Sequence, residues 1–322
     1  MKTSESPNQF RRFATFGFVL SLFTTTFVHA DTLYVTSAGN NLIMRYTAPG
    51  VGSVFASGGL MDHPNGLAFD RTGNLFVGNY HGGNILKFTP DGLGSIFAVG
   101  VSSTPYGMAF DTSGNLYVAD VINNSIRKFT PGGVRSTFAS GLDYPVGIAF
   151  DAAGNLFAAN YFGNSITMIT PGGSKSTFAN TGLNGPEGLA FDTSGNLYVA
   201  NSANHAHGAA YIERFTPGGV GSLFVGGIYD PQGLAFDNAG NLFATSRGDS
   251  NSILQITPGG GVSTYATGGL DTPAFMTMQP VPEPSVAALV VAPFGLFAFR
   301  RAVYLPCHAC GAKSQEYGTE RR

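Results

Sequence analysis

The histidines are the residues whose type and spacing most directly suggest chemistry. Four of the six lie in the body of the chain: His63, His81, His205 and His207. The last two form a His-x-His pair, which can chelate Zn²⁺, and any imidazole can act as a general acid or base near neutral pH. These histidines allow three interpretations. They could bind a metal, act in acid catalysis, or simply be solvated residues of surface loops.

A second set of candidates is defined by position, because each member follows a proline that opens a predicted strand. The six are Asn65, Tyr106, Val146, Glu187, Gln232 and Ala274. Glu187 is the single carboxylate among them, so it is the candidate general base if a histidine supplies the acid. The sequence has no G-x-S-x-G nucleophile motif and no phosphate-binding glycine loop. We therefore assign no catalytic residue and treat Glu187 with a loop histidine as the alternative to simple ligand binding.

These candidates belong to a repeated unit, best seen in residues 105–138. Two apolar runs, at residues 108–110 and 116–118, flank the turn sequence Asp-Thr-Ser-Gly-Asn, and two more follow at residues 126–129 and 137–138. Four short strands joined by Gly-, Pro- and Asn-containing turns are typical of one small antiparallel sheet. Such a sheet has two apolar faces that it cannot bury alone, so the copies must stack.

The unit is copied around the whole body of the chain. The glycine of its G-[LMI]-A-F-D strand recurs every 40 to 45 residues, at Gly66, Gly107, Gly147, Gly188 and Gly233, a period in the range of β-propeller blades. The other three strands occur six times, and residues 273–278 fit the missing copy of the first. We therefore predict an all-β, six-bladed β-propeller over residues 31–280. Pairing of residues 274–278 with the strand from Leu33 closes it.

A propeller places the candidate residues on one face. The loops that lead into the innermost strands, and the loops between the second and third strands, open on the same face, where propellers usually bind ligands. Blades two and five stand opposite each other in a ring of six. The pair His63 and His81 is therefore too far from His205 and His207 to share one metal ion, which favours solvated loops. No metal and no cofactor is predicted.

The aspartates of the repeated D-x-x-G-N turns have a structural interpretation. They stand at equivalent places in five copies: Asp70, Asp111, Asp151, Asp192 and Asp237. An aspartate at the start of a turn can accept hydrogen bonds from the turn's own amides. Regular spacing at turns favours this capping role over calcium binding.

The repeated unit resembles the NHL repeat. Residues 105–107 and 114–120 match that family's Pro-x-Gly and Gly-Asn-x-Tyr-Val-Ala-Asp elements well, and residues 124–129 match the Ile-x-Lys-Phe end of its Asn-x-Arg-Ile-x-Lys-Phe element. Asparagine stands where the family usually has aspartate at three positions: Asn79, Asn160 and Asn201. The resemblance covers residues 31 to about 278. It implies a six-bladed propeller that binds protein or RNA or, in related propellers, performs lyase or lactonase chemistry.

Charge argues against one class of partner. Residues 31–280 contain nine Lys and Arg against fifteen Asp and Glu, a net charge of −6. A nucleic-acid-binding protein needs a clustered basic face to engage phosphates, so we predict no nucleic-acid partner. The two cysteines, Cys307 and Cys310, lie close to the C-terminus, so the predicted propeller has no disulfide.

The N-terminal residues 1–30 have the features of a secretory signal. Arg11 and Arg12 precede an apolar stretch at residues 13–27, and Val28-His29-Ala30 offers a cleavage site before Asp31. The stretch is too short and too rich in threonine for a permanent transmembrane helix. The mature protein is therefore expected to be exported.

The segment 281–301 resembles a PEP-CTERM sorting signal. Its three parts are the core Pro282, Glu283 and Pro284, the apolar run 286–299, and the pair Arg300 and Arg301. Fourteen apolar residues span about 21 Å as a helix, less than a hydrocarbon core of about 30 Å, so a transient anchor fits better than a permanent one. The resemblance implies an exosortase-type processing enzyme as a partner and transient association with the inner membrane of a Gram-negative bacterium. No role is assigned to the tail at 302–322.

These expectations combine into one functional hypothesis. The sequence favours an exported, non-enzymatic propeller of the cell surface or extracellular matrix that binds a glycan, peptide or protein on its loop face. The predicted ligand-binding residues are Asn65, Tyr106, Glu187, Gln232, His63, His81, His205 and His207. A secreted lyase or lactonase that uses the same face is the alternative.

Overall fold

A computed structural model describes residues 31–101, 104–203, 210–248 and 251–279. These residues form 24 strands in six four-stranded antiparallel sheets, with no helix among them. The six sheets are the blades of a β-propeller, as predicted. The predicted signal segment 1–30, the predicted sorting segment 281–301, the tail at 302–322, and His205 and His207 lie outside the described residues.

Each blade has four strands, ordered from the axis outward. Blade 1 consists of β24 (Pro273–Met278), β1 (Leu33–Ser37), β2 (Leu42–Ala48) and β3 (Val51–Ser57). Blade 2 consists of β4 (Pro64–Phe69), β5 (Leu75–Asn79), β6 (Asn84–Phe88) and β7 (Gly94–Val99). Blade 3 consists of β8 (Pro105–Phe110), β9 (Leu116–Asp120), β10 (Ser125–Phe129) and β11 (Arg135–Ser140).

The remaining three blades follow the same order. Blade 4 consists of β12 (Pro145–Phe150), β13 (Leu156–Asn160), β14 (Ser165–Ile169) and β15 (Lys175–Ala179). Blade 5 consists of β16 (Pro186–Phe191), β17 (Leu197–Asn201), β18 (Tyr211–Phe215) and β19 (Gly221–Gly226). Blade 6 consists of β20 (Pro231–Phe236), β21 (Leu242–Ser246), β22 (Ser252–Ile256) and β23 (Val262–Ala266).

Aromatic rings join each blade to the next. Phe76 in β5 meets Phe97 of its own blade edge-on at 4.9 Å and Phe110 of blade 3 at 5.0 Å between ring centroids. The same three-ring contact recurs around Tyr34, Tyr117, Phe157 and Tyr198. Edge-to-face pairs add about 0.5–1.5 kcal/mol each beyond the area that they bury. The repeated aromatic positions therefore account for the stacking that a lone blade could not achieve.

The repeated inner-strand glycines let neighbouring blades approach closely around the axis. A Cβ on Gly147 would overlap the carbonyl oxygen of Glu187 in the next blade, and a Cβ on Gly188 would overlap that of Gln232. The same relation holds at Gly66, Gly107 and Gly233. Glycine is required at these places by space, since neither Gly147 nor Gly188 has the positive φ that would favour it by conformation.

The ring closes through blade 1, as predicted. Strand β24 pairs with β1 in antiparallel register, with Leu33 opposite Met278 and Val35 opposite Met276. The Thr36 hydroxyl oxygen accepts a hydrogen bond from the Phe275 amide at 3.2 Å and lies 2.7 Å from the carbonyl oxygen of Asn65 in blade 2. The last strand of the ring is thereby hydrogen-bonded to its first strand and tied to the neighbouring blade.

The D-x-x-G-N turns mark the face of the ring that we call the turn end. Oδ1 of Asp111 accepts hydrogen bonds from the amides of Ser113 and Asn115 at 2.9 and 2.8 Å, and its Oδ2 accepts one from the Asn115 side chain at 2.8 Å. Asp70, Asp192 and Asp237 make the same set of bonds. The predicted capping role is confirmed, and these carboxylates serve the scaffold.

Candidate functional site

The loop face lies opposite the turn end, and in several blades a buried polar residue at the end of the second strand holds one of its loops. Asn79 accepts a hydrogen bond from the Asp62 amide at 3.1 Å and donates one to the Leu60 carbonyl at 2.7 Å. Asn160 and Asn201 hold the corresponding loops of blades 4 and 5. In blades 2, 4 and 5 the loop before the inner strand is therefore fixed by a residue inside its own blade.

The asparagines that depart from the NHL pattern have a local electrostatic cause. In blade 3 the residue is Asp120, fully buried, and Arg127 lies 2.8 Å from its carboxylate. In blades 2 and 4 the position of Arg127 is taken by Leu86 and Thr167. A buried carboxylate without a cation is costly, so the neutral amide fits where arginine is missing. The departure from aspartate is thus a scaffold feature.

The residue before the inner-strand proline adopts a left-handed conformation in several blades. His63 and Tyr144 have φ of 57° and 56°, and Gly185 holds the same position in blade 5 with φ of 61°. For a residue with a side chain this conformation costs about 1–2 kcal/mol. The carbonyl of Tyr144 accepts a hydrogen bond from the Tyr161 amide at 3.1 Å, which brings these two side chains to the same loop face.

A pocket opens on the loop face at the end of the axial channel, and we call it the mouth pocket. Its volume is about 330 Å³, and its lining comprises Tyr106, Tyr144, Val146, Tyr161, Phe162, Glu187, Gln232 and Arg247. Blades 3 and 4 supply the aromatic members, whereas blades 5 and 6 supply the polar and charged members. The pocket is therefore aromatic on one side and polar on the other.

The polar side has a buried carboxylate and a buried amide. Glu187 and Gln232 are 3% and 1% exposed, and the Gln232 Nε2 donates a hydrogen bond to Glu187 Oε1 at 3.2 Å. Because this bond fixes the orientation of the amide, the Gln232 Oε1 points away from Glu187. No donor among the residues that the structure describes reaches that oxygen. A buried acceptor without a donor is destabilising by about 1–3 kcal/mol.

The aromatic side is a cluster of three rings in blade 4. The Tyr144 ring lies 6.0 Å from Tyr161 and 4.7 Å from Phe162, and the last two are 5.1 Å apart. Phe162 is 63% exposed. Ring faces and edges are thus available to an incoming ligand.

The tyrosine hydroxyls of this pocket remain protonated over the physiological range. Burial raises the pKa of Tyr106 far above its usual value, and the neighbouring Tyr144 and Tyr80 add to the shift. Burial also raises the pKa of Tyr161, where a hydrogen bond with Ser202 opposes the shift and the negative charge of Glu187 adds to it. The phenols are therefore neutral groups that both donate and accept hydrogen bonds.

Arg247 places a positive charge at the rim of the mouth pocket. It follows β21, and its Nε donates a hydrogen bond to the carbonyl of Pro273 at 3.1 Å. The side chain is half-buried. A guanidinium has five N–H donors, so this anchoring bond leaves others for the pocket. The polar side of the pocket thereby combines acceptors with a donor.

Phe275 packs against the wall of the mouth pocket. It is 9% exposed and belongs to one apolar cluster with Val146, Tyr161 and Ala274. Its ring meets Tyr106 edge-on at 6.4 Å. On its other side lies the remainder of the axial channel, a cavity of about 480 Å³ that Phe275 also lines.

The predicted site residues are only partly brought together. Tyr106, Val146, Glu187 and Gln232 line the mouth pocket. Asn65 and Ala274 are buried on the same ring of positions but are not part of that lining.

The described histidines form a separate pair. The rings of His63 and His81 are 4.9 Å apart, and neither lines the mouth pocket. Burial, with the nearby His81 and Arg247, lowers the pKa of His63. His205 and His207 fall outside the described residues. Neither described histidine therefore lines the mouth pocket together with Glu187.

Five residues of the site were missed by sequence reasoning. They are Tyr144, Tyr161, Phe162, Arg247 and Phe275. All occupy positions where the six copies differ, either before the proline, after the second strand or in place of the inner-strand glycine. The sequence signal that could have found them is variation among the six copies. It has to be examined at every position of the repeat, and not only at the position after the proline.

The described residues contain neither a cluster of metal ligands nor a membrane-spanning helix. Within ranges 31–101, 104–203, 210–248 and 251–279, no three His, Cys, Asp or Glu side chains come together as metal ligands. In that same part of the chain, no helix is long and apolar enough to cross a membrane. The predicted apolar segments at 13–27 and 286–299 lie outside it.

Sequence comparison identifies one repeat. The model of the NHL repeat matches residues 183–206, which span the inner part of blade 5. Among curated proteins, none matches the sequence. The NHL resemblance is thus supported at one of the six blades.

Solved structures share the propeller fold. A chain of a nidogen/laminin complex is 20% identical with a TM-score of 0.68, over 79% of this chain and 99% of that one. An inactive virginiamycin B lyase from Staphylococcus aureus with quinupristin is 18% identical with a TM-score of 0.58, over 79% and 94%. A gluconolactonase from Xanthomonas campestris is 17% identical with a TM-score of 0.59, over 76% and 87%. At these identities the likeness concerns the fold alone.

Proposed function

We propose that this protein is an exported binding propeller of the cell surface or matrix, and that its mouth pocket holds sugar residues of a glycan. The observation that carries the proposal is the division of this pocket into an aromatic side and a polar side with a buried, unpartnered acceptor. Blades 3 and 4 carry tyrosine and valine at the same ring position, so blade construction does not require an amide there. Asn65 of blade 2 also has a buried oxygen without a donor among the described residues, but it does not line the mouth pocket.

A sugar ring is chemically matched to such a divided pocket. Its C–H faces are apolar and can lie against Tyr144, Tyr161 or Phe162, while its hydroxyls both donate and accept hydrogen bonds. A hydroxyl can donate to the Gln232 Oε1, and Arg247 can donate to a ring or hydroxyl oxygen. Few convergent polar groups among aromatic walls are typical of small-ligand sites.

The placement of the chain ends supports display of this pocket. Asp31 accepts hydrogen bonds from the amide and side chain of Asn238, in the D-x-x-G-N turn of blade 6, and the Gln279 amide donates to the Thr32 carbonyl. Both flanking segments therefore join the ring at the turn end. If residues 281–301 hold the protein at a membrane before sorting, the mouth pocket points away from that membrane.

The enzyme alternative is less well supported. Lyase or lactonase chemistry with Glu187 as base needs an acid in the same pocket. The described histidines, His63 and His81, contact each other and Tyr80 instead. The solved structures that share the fold include enzymes and a binding complex, so fold alone favours neither function.

A glycan array tests the binding proposal. The full chain is expected to bind at least one glycan, and Gln232→Leu is expected to lower that affinity at least tenfold, because an apolar side chain cannot accept the sugar hydroxyl. Thr193→Ala, an exposed change at the turn end, is the matched control and should leave affinity unchanged. Failure of every glycan to bind, or equal affinity for Gln232→Leu, contradicts the proposal.

Export and sorting have a separate test. Mass spectrometry of protein recovered from the exterior of the native host should show a chain that begins near Asp31 and lacks the residues after the Pro282–Pro284 core. Recovery of an intact C-terminus from the exterior overturns sorting and leaves the ligand proposal standing.

A further inference from the structure

One inner-strand position sets blade 1 apart from the other five. There the five contiguous blades have a glycine: Gly66, Gly107, Gly147, Gly188 and Gly233. The closing strand β24 has Phe275 instead. This is the largest change in side-chain size at any repeated position of the inner strands. The packing of one blade against the next, which requires glycine in the other five blades, does not explain a phenylalanine here.

The Phe275 side chain reaches across the channel axis. Blade 1 stands opposite blade 4 in the ring, yet Phe275 shares an apolar cluster with Val146 and Tyr161, both of blade 4. Its ring also meets Tyr106 of blade 3. A side chain that starts on blade 1 can join blade 4 on the opposite wall only by crossing the axis.

The crossing separates two spaces. Above it lies the mouth pocket, lined by Tyr106 and Val146, and below it lies the cavity of about 480 Å³ bounded by the inner strands. Phe275 lines the lower cavity and contacts the wall of the upper pocket. The axial channel, which the glycines leave open along the inner strands, is therefore interrupted at this residue.

We propose that Phe275 makes the mouth pocket blind, and that the pocket accordingly takes the terminal unit of a glycan chain rather than an internal segment. This inference rests on the proposed function and adds to it the part of the glycan that is bound. A chain cannot pass through a blind pocket, so a unit that lies beside Glu187 and Gln232 and reaches the floor at Phe275 must be the end of its chain. The rest of the glycan leaves toward the loop face.

The size of the pocket agrees with one terminal unit. Its volume of about 330 Å³ is near the lower limit of small-ligand pockets, about 300–1,000 Å³. About one or two sugar rings fill such a space. Additional units beyond these project past Phe162, which is exposed at the rim.

Chain-length dependence tests the inference. The full protein is titrated with a panel of free monosaccharides and, for each that binds, with linear oligosaccharides of two to six units that present it at the end. A blind pocket predicts affinities within about threefold across the series. A tenfold or greater gain from monosaccharide to tetrasaccharide overturns the inference while leaving glycan binding intact. Absence of binding to every member overturns the proposed function as well.

Cyclic glycans give a second comparison. A cyclodextrin has no chain end, whereas a linear glucan of the same linkage and similar size has one. If glucose is the monosaccharide that binds, the linear form should bind at least tenfold more tightly. For any other sugar, the comparison is between glycans immobilised through either end, and only those with the free terminal unit should bind. Equal binding of both forms overturns the inference.

Substitution of the floor gives the third comparison. Phe275→Gly introduces the residue of the other five blades and should lower monosaccharide affinity at least tenfold, whereas Phe275→Leu should lower it less than threefold. Phe138→Leu, an aromatic change on the outer strand of blade 3, controls for general destabilisation and should leave affinity unchanged. Circular dichroism establishes that each variant is folded. Unchanged affinity in folded Phe275→Leu and Phe275→Gly overturns the role of the floor.

Discussion

The turn end and the mouth pocket are built from the same blades but treat polar groups differently. At the turn end, Asp111 accepts three hydrogen bonds from its own turn, and the equivalent aspartates repeat the arrangement. At the mouth, the buried Gln232 Oε1 has no donor within the described part of the chain. The repeated aspartates are satisfied within their own turns, whereas Gln232 keeps an unused acceptor in the lining of the mouth pocket. Asn65 and Tyr46 also have buried oxygens without a partner among the described residues, so the place in the pocket lining, together with the missing donor, separates the site from the scaffold.

The largest effect is expected at a repeated position close to the axis. Gly147→Ala should destabilise the protein by about 3 kcal/mol or more, because its Cβ would overlap a backbone carbonyl that cannot move without its strand. Chemical denaturation measures the difference. Gly259→Ala is the control, since a Cβ there meets nothing within 4 Å in the described structure, and its stability should change by less than about 0.5 kcal/mol. Similar losses for both would refute the close-packed ring.

The next largest loss of stability is expected at the turn end. Asp111→Ala should cost about 2 kcal/mol at neutral pH through loss of the turn bonds, with ligand affinity unchanged. Burial opposes ionisation of Asp111, but hydrogen bonds from Asn115 and Ser113 outweigh it and hold the pKa of the carboxyl below its usual value. The ionised carboxylate therefore stabilises the fold above the unfolded pKa, near 4, and this contribution is lost as pH falls through the folded pKa.

Denaturation curves at neutral and acidic pH check this dependence. The gap in stability between wild type and Asp111→Ala should narrow as pH falls below about 4. Thr112→Ala, an exposed change in the same turn, serves as the control and should match wild type at both pH values. A gap that stays constant with pH would contradict the charge-dependent turn.

Substitutions in the mouth pocket should change ligand affinity more than the stability of the fold. Tyr144→Gly copies the residue of blade 5 and relieves a positive φ, so the folded state should change by no more than about 1 kcal/mol. The lost ring should weaken glycan binding by about 1–2 kcal/mol, or roughly five- to thirtyfold. Calorimetric titration and thermal unfolding of one sample measure both quantities. A large stability loss with unchanged affinity would reverse the comparison between scaffold and site.

A smaller change in stability is expected at Glu213, an unrepeated residue that lies outside the mouth pocket. Glu213 takes the place of Arg127 in blade 5, and burial raises its pKa above the usual value. Because the folded protein holds this proton more tightly than the unfolded chain, ionisation weakens the fold as pH rises through the folded pKa. Glu213→Gln should therefore raise the melting temperature at neutral pH by about 2 °C. The two proteins should coincide below about pH 4. A lower melting temperature for the variant at neutral pH would contradict this account.

The smallest effect is expected at Tyr46. Its hydroxyl is buried without a partner among the described residues, and burial raises the pKa of Tyr46 to about 12. Phe88, Phe129 and Phe215 hold the same position in other blades. Tyr46→Phe should therefore leave stability unchanged or raise it by up to about 1 kcal/mol, measured by denaturation. A loss of more than about 1 kcal/mol would show that the hydroxyl has a partner in solution.

The fold could be predicted from the sequence because its determinants repeat. The spacing of Gly107 and its equivalents predicts blades, and the missing sixth copy predicts the pairing of residues 273–278 with the first strand. The structure confirms both. A repeated pattern is read six times over, so an irregularity in one copy does not hide it.

The site was harder to predict for the opposite reason. The position after each proline led to Tyr106, Glu187 and Gln232, which line the mouth pocket, but the loop geometry that adds Tyr144 depends on a left-handed residue. Backbone conformation at a single non-glycine position has no clear sequence signal. Phe275 was recognised only as part of the closing strand, since its reach across the axis depends on the ring being assembled.

The pairing of β24 with β1 also constrains the order in which a growing chain can fold. Blades 2 to 6 are each continuous in sequence, so each can form soon after its own residues have emerged from the ribosome. The first three strands emerge earliest, but the inner edge of β1 stays unpaired until residues 273–278 arrive. Residues 273–278 therefore close the ring. Before they pair with β1, the repeats form an unclosed array, and their pairing joins the first and last repeats into one cooperative unit.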